Sequence, residues 1–226
     1  METPIKYARH LTGTMVNVFL LVLLIVATYF VWDGREEIKD IRTSYTKGLK
    51  LIQRLEAGLD PLLVRQQAIL KYRDFILEIN NKMNPEEAYK IASDNWDLSQ
   101  KYRVDPNLLM ALQRQESGYK SDAVSYMGAI GLNQIMPPTG RILARALNWS
   151  YSDSLLYDSR ANTEMACLYL QNAGLTYTRN EVILASYNGG FRQAHYYLTN
   201  SDRLAEETRN YVTRVMKVYR SFSGSS

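Results

Sequence analysis

The sequence predicts a mainly α-helical protein in which a transmembrane helix and a helical stalk precede one compact helical domain. Three observations predict it. An 18-residue run without a charged side chain, Met15 to Trp32, stands near the N-terminus. Beyond it, apolar residues recur in steps of three and four, the spacing of one helix face. From Asn84 onward, helix-start signals alternate with short polar breaks, and no strictly alternating stretch lies between two turns, which argues against a large sheet.

At 1.5 Å per residue the N-terminal run spans about 27 Å, close to the hydrocarbon thickness of a bilayer. Tyr29 and Trp32 lie at its far end, where interfacial aromatics collect. The ending Tyr29-Phe30-Val31-Trp32 is a poor cleavage site, so a retained anchor at 15–32 is expected rather than a removed signal peptide. Lys6 and Arg9 precede the run; Asp33, Glu36, Glu37 and Asp40 follow it, partly offset by Arg35 and Lys39. The positive-inside tendency then puts residues 1–14 in the cytoplasm and the rest outside, in a periplasm or on the outer face of the membrane.

Residues 33–83 read as the stalk. One stripe comprises Ile38, Ile41, Tyr45, Leu49, Ile52, Leu55, Leu59 and Leu62, with Pro61 expected to break it and begin a new turn. A second comprises Ile69, Tyr72, Phe75, Ile76 and Ile79. Either residues 38–80 pair with a helix of a protein partner, or they pack on the chain's own domain.

The domain is expected over 84–226. Asn84-Pro85-Glu86-Glu87 is a helix start with Asn as N-cap, Pro at the first helical position and Glu at the third. Asp105-Pro106 repeats it. Helices are expected at about 85–101, 106–117, 137–148, 160–175, 180–187, 191–199 and 204–221.

Composition excludes several classes. A 46% hydrophobic and 22% charged chain is globular, not disordered. A net charge of +4 without a stripe of Lys and Arg does not point to nucleic acid, but it suits an anionic wall polymer or membrane surface. The single cysteine, Cys167, lies in an apolar helical pattern and cannot form an internal disulfide. There is no metal-ligand spacing and no phosphate loop, so no cofactor is implied.

The chemistry begins with the helix from Pro106, which ends in Gln115-Glu116-Ser117-Gly118. Gly118 suits a left-handed C-terminal cap. Glu116 then sits in the last turn, where helix carbonyls disfavour a carboxylate. An apolar surrounding would add to this and hold the carboxyl protonated near neutrality, as a general acid requires. The segment Ser121 to Pro137 that follows is rich in Gly and small residues and carries Gln134 and Met136 before a proline-started helix. Such a segment brings backbone close to a ligand and offers an amide and a soft apolar contact.

Glu116 lies nine residues before Ser125 and eighteen before Gln134. In this arrangement the chain resembles the catalytic domain of family 1 lytic transglycosylases. The likeness continues in Arg160-Ala161-Asn162-Thr163, in Leu184-Ala185-Ser186-Tyr187-Asn188-Gly189-Gly190 and in Glu207-Thr208-Arg209-Asn210-Tyr211-Val212, covering roughly 90–221. It implies a lysozyme-like helical fold with a glycan groove and Glu116 as the acid/base. It implies that Ser125 and Gln134 contact the sugars, that Met136 lines the groove, and that Tyr187 hydrogen-bonds near the Glu116 carboxyl. Asn188 would hold that loop, and Glu207 and Tyr211 would lie on the groove's flank, in reach of substrate or its peptide stem. Asn133 stands where the family usually has Met, and Ser186 where it often has Ala; both bear on groove shape.

The resemblance further implies cleavage of the β-1,4 bond between N-acetylmuramic acid and N-acetylglucosamine in peptidoglycan, giving 1,6-anhydro-muramoyl ends. Hydrolysing glycosidases usually need two carboxyl groups, whereas the motif region offers Glu116 and, nearby, only Asp122. A hydrolytic muramidase on the same fold and an inactive membrane-tethered wall-binding or scaffold module of a secretion-type machine are the alternatives.

Overall fold

The computed structural model describes residues 17–24 and 35–223. Residues 1–14 and most of the predicted anchor at 15–32 lie outside the described residues. Its part at 17–24 is helical, with Val18, Leu21, Val22 and Leu24 exposed. No helix among the described residues is long and apolar enough to cross a membrane.

Seven α-helices follow: α1 (Arg35–Ile79), α2 (Pro85–Tyr102), α3 (Pro106–Glu116), α4 (Pro137–Ala146), α5 (Ser159–Thr176), α6 (Asn180–Thr199) and α7 (Glu206–Ser223), with 3-10 turns at Asp153–Tyr157 and Ser201–Arg203. Sheet structure among the described residues is confined to two isolated bridges, Val124 to Ile130 and Ile130 to Ile135. The expected starts hold for stated reasons. Asn84 accepts from Glu86 N and Asp105 from Asn107 N, each at 2.8 Å, capping helices whose first residue is proline. The two short helices expected at 180–187 and 191–199 are the two arms of α6, parted by a kink at Gly190, whose φ of +76° and ψ of 177° only glycine adopts at little cost.

The chain divides into two compact units, Met1–Val64 and Arg65–Ser226. Within the first, α1 does not break at Pro61, contrary to the sequence reading. Proline removes one backbone donor, but Pro61 is exposed, so water can serve the freed carbonyl. Of the first stripe, Tyr45, Leu49 and Ile52 are half-buried and Leu55 and Leu62 exposed; the side chains of Ile38, Ile41 and Leu59 lie outside the described residues.

The second unit begins at Arg65, not at Asn84. Ile69 and Ile76 are wholly buried and Tyr72 nearly so, in one core with Ile91, Leu109, Leu112, Val215 and Phe222. Tyr72 donates to Asn107 at 2.9 Å, and Arg65 forks onto the carboxylate of Asp97 at 2.8 and 2.9 Å. The second stripe therefore packs on the chain's own domain. At the centre runs α3, buried on every side from Leu108 to Gln113 and packed against α7 and α2, while α5 covers α2 and α6 covers α7.

This boundary makes a sharp contrast between two positions of α1. In denaturant unfolding of the whole chain, Ile76→Ala is expected to destabilise by about 2–5 kcal/mol. Leu55→Ala, on the exposed stripe, should stay within about 0.5 kcal/mol. Equal losses would return residues 65–79 to the stalk.

Candidate active site

Glu116 is the last residue of α3. Beyond it the chain turns sharply, with Gly118 at φ +58° as the cap reading expects and Tyr119 at φ +64°. Tyr119 is held in that conformation by complete burial and by a bond from its hydroxyl to Met110 O at 2.8 Å. Ser117 Oγ donates to Leu132 O at 2.8 Å, tying the end of α3 to the following loop.

That loop is built on backbone bonds. Ser125 N donates to Ala129 O, and Ala129 N returns a bond to Ser125 Oγ, both at 2.9 Å. Gly131 stands at φ +83°, where a Cβ would lie 2.2 Å from Leu156 O, so glycine is required twice over. Asn162 ties the underside: its amide donates to Ile130 O and Leu156 O at 3.0 and 2.9 Å, and its oxygen accepts from Asn133 N and Nδ2 at 2.9 and 3.0 Å. Asn162 is scaffold. Gln134 adopts φ +47°, and its amide nitrogen donates to Ala123 O and Gly131 O at 3.1 and 3.0 Å. Both its N–H donors are thus committed, leaving Oε1 as the available polar atom.

A recess of about 250 Å³ is lined by Gln134, Met136, Thr139, Tyr169, Tyr187 and Asn188, among others. It gathers four of the residues expected at the groove. Ser125 and Glu116 are not in its lining. Ser125 spends an acceptor on Ala129, and its own proton remains available. Glu207 is exposed in the first turn of α7, where a carboxylate complements the helix dipole.

Of the two tyrosines, it is Tyr211 that differs from expectation. Tyr211, expected on the flank, is buried, and its hydroxyl donates to Glu116 Oε1 at 2.5 Å. Tyr187, expected to hydrogen-bond near the carboxyl, lies close enough to feel its charge and donates to Asn133 O at 2.8 Å. Burial first, and the nearby Glu116 charge second, raise both phenols well above their ordinary range, so both flank the carboxyl while one bonds to it. Tyr169, which the sequence reading missed, stacks edge-on to Tyr187 at 5.1 Å and donates to Ser186 O at 2.8 Å. The Ser186 hydroxyl lies 3.1 Å from the same phenol, which gives that departure from the family a partner.

Burial pushes Glu116 up to about 7 from 4.5, and the Tyr211 hydrogen bond opposes the rise. Two other carboxylates of the domain stand in different surroundings. Asp122 is exposed. Glu164 is pushed upward by burial, but Lys101, Tyr102 and Arg160 outweigh that and hold it below the usual range. Among the described residues no three His, Cys, Asp or Glu side chains cluster as a metal site would need.

With this geometry in view, the comparisons decide the family. The family described as "Transglycosylase SLT domain" matches residues 96–210, half of the chain. The chain belongs to the SLT transglycosylase domain family. It is similar to the soluble lytic murein transglycosylase of Escherichia coli K12, 31% identical over 160 residues, covering 62% of this chain and 24% of the relative. It is also similar to membrane-bound lytic murein transglycosylase C of Edwardsiella ictaluri, 33% identical over 103 residues, 41% of this chain and 29% of the relative. Among solved structures, an inactive mutant of lytic transglycosylase Slt from Pseudomonas aeruginosa aligns with a TM-score of 0.52 at 25% identity, over 59% of this chain and 24% of that one. The 70 kDa soluble lytic transglycosylase in complex with bulgecin A aligns at 0.52 and 25%, over 72% and 31%. The chain spans about a quarter to a third of the length of these relatives. The fold of this SLT domain is the mainly helical, lysozyme-like one.

The raised carboxyl has a stability signature. The folded form holds its proton more tightly than the unfolded, so the stabilisation is complete below pH 4.5 and is lost as pH rises through about 7. Relative to Glu116→Gln, which does not titrate, the wild type should lose on the order of 2–3 kcal/mol across that window, partial solvent access included. Parallel stability–pH curves for the two proteins would show that the carboxyl is not raised.

Proposed function

We propose that this chain is a peptidoglycan lytic transglycosylase with Glu116 as its single acid/base. The observation that carries the reading is a half-buried carboxyl raised to about 7 and bonded by Tyr211, while Asp122 is exposed and Glu164 is engaged by Lys101 and Tyr102. Tyr211 occupies Oε1, so Oε2 carries the proton. It protonates the oxygen of the β-1,4 bond between N-acetylmuramic acid and N-acetylglucosamine, and the substrate's 2-acetamido group supports the positive charge at C1. Glu116, now ionised, accepts the proton of the muramoyl C6 hydroxyl as that oxygen attacks C1. The product is a 1,6-anhydro end, and the carboxyl is again protonated. A carboxyl near 7 suits both halves of the cycle, because it neither holds nor releases the proton too strongly.

Gln134, Met136, Tyr187 and Asn188 would line the sugar groove, with Ser125 donating from the loop above Ala129. Tyr211 acts on the carboxyl rather than on the stem, and Glu207 stands on the open flank. The apolar run at 15–32 would anchor the chain, with its N-terminus cytoplasmic and this domain outside the cytoplasmic membrane. A helical protein partner would meet the stripe that ends at Leu62, since the later part of 38–80 is occupied by the chain's own core.

Mass spectrometry of products from purified peptidoglycan tests the reaction: anhydro-muropeptides from the wild type and none from Glu116→Gln are expected. Reducing ends, or near-normal turnover by the Gln variant, would sink the reading. Tyr211→Phe removes the bond that lowers the carboxyl, so the decline of activity above about pH 7 should move to higher pH. An unshifted profile would detach Tyr211 from the proton transfer.

A further inference from the structure

Three polar residues that line the recess of about 250 Å³ have their side-chain protons committed within the protein. Gln134 gives both amide protons away, to Ala123 O and to Gly131 O. Tyr187 gives its phenol proton to Asn133 O and Tyr169 its own to Ser186 O, each at 2.8 Å. All four recipients are backbone carbonyls, which only accept, so the direction of every one of these bonds is fixed. Met136 adds a thioether, which also lacks a proton.

The neighbouring backbone is short of donors too. Met136, Thr139 and Leu143 bring the start of α4 into the wall, and the first turn of a helix ordinarily presents four unpaired N–H groups. Here the first two helical residues are Pro137 and Pro138, which have none, and Gly140 N donates to Met136 O at 2.9 Å. Ile135 N is held by Ile130 O at 3.0 Å. Thr139 and Asn188 carry groups that can either donate or accept, so the fixed character of the wall is that of an acceptor.

Ser186 holds this polarity in place. It is wholly buried, and its hydroxyl lies 3.1 Å from the Tyr169 oxygen. The phenol has one proton, which Ser186 O takes, so the serine is the donor in the second contact. One residue thus grips the phenol twice, by carbonyl and by hydroxyl. Turning the phenol proton into the recess would forfeit the first bond and disturb the second, which costs free energy in a buried wall. The edge-on contact with Tyr187 at 5.1 Å restrains the ring itself.

We infer that Ser186 is a positioning residue that sets specificity: by holding the Tyr169 proton it keeps the recess an acceptor, which favours N-acetylglucosamine there over the muramoyl residue. The two sugars differ at O3. N-acetylglucosamine has a hydroxyl at that position and can donate. The muramoyl O3 is an ether without a proton, and against this wall it sets oxygen against oxygen. A site built to pair with a substrate hydroxyl discriminates strongly against an analogue that lacks it. The identity of the sugars rests on the transglycosylase reading, but the discrimination is measured by binding alone.

The test is calorimetry of the full chain carrying Glu116→Gln, titrated with tri-N-acetylglucosamine and with the same trisaccharide methylated at every O3. The methyl ether stands in for the muramoyl ether. The unmethylated trisaccharide should bind about tenfold more tightly. Adding Ser186→Ala should bring the two affinities to within about threefold, because a phenol freed of the serine hydroxyl can turn its proton to the ether oxygen. A preference set by methyl bulk alone would be the same in both proteins, and that result overturns the assignment. Equal affinity of the two ligands for the Glu116→Gln parent overturns it as well, as does binding of neither. Tyr169→Phe, added to the parent in place of Ser186→Ala, removes the acceptor and should narrow the preference too. It decides the matter if the alanine variant does not fold, and an undiminished preference there counts against the role of Ser186. With native Glu116, absence of anhydro-muropeptides counts against the transglycosylase reading, while the binding ratio still decides what Ser186 does.

Discussion

The helix that carries Glu116 is buried on all sides from Leu108 to Gln113, and the polar groups of that stretch must therefore find their partners inside the protein. Leu109, Met110, Ala111, Leu112 and Gln113 are wholly buried. Gln113 meets the requirement through a reciprocal amide pair with Asn95, at 2.7 and 2.9 Å, and a bond to Thr163 at 3.2 Å. Thr163 also accepts from Asn133 at 3.3 Å, and Asn133 leads on to Asn162 and the loop backbone. A chain of amides thus runs from α2 through α3 and α5 to the loop that carries Gln134. Such bonds contribute about 1 kcal/mol each when made and cost about 1–3 when one partner is left alone. The spacing between helix and loop is fixed by this asymmetry more than by apolar contact, which tolerates sliding.

The same burial sets the electrostatics. Drawing water away from a carboxylate raises its proton affinity, and a hydroxyl donor lowers it; at Glu116 the two oppose each other. In the proposed acid/base cycle, neither effect alone would leave the group useful at both stages. Tyr211 is itself held neutral by burial and by that negative charge, so it remains a donor throughout. Tyr187 is restrained in the same way but turns its hydroxyl to Asn133 O, closing the loop against α6.

Local chemistry in the sequence carried much of this. Asn84-Pro85 and Asp105-Pro106 act within four residues, and the helices begin where those signals stand. Gly118 likewise needs nothing distant to act as a cap. What the sequence could not show depends on what covers a face. The stripe through Ile69, Tyr72 and Ile76 reads the same whether its partner is foreign or its own; only the fold places Phe222 against Tyr72. The bond from Tyr211 to Glu116 has the same origin, since motif order does not say which phenol reaches a carboxyl. Asn133 looked like a departure that reshapes the groove, yet it is wholly buried, and its side-chain nitrogen serves Asn162 and Thr163 while its oxygen stays unpaired. Its neighbours in space, not in sequence, account for an amide there.

The bond between Glu116 and Tyr211 joins residues 95 positions apart, and the second belongs to the last helix. A site of this kind is assembled late. Long-range closure of this sort is slow beside helix formation. The carboxyl is therefore sensitive to the seating of a distant element: whatever loosens α7 on α3 reaches Glu116 first, through the loss of that hydroxyl.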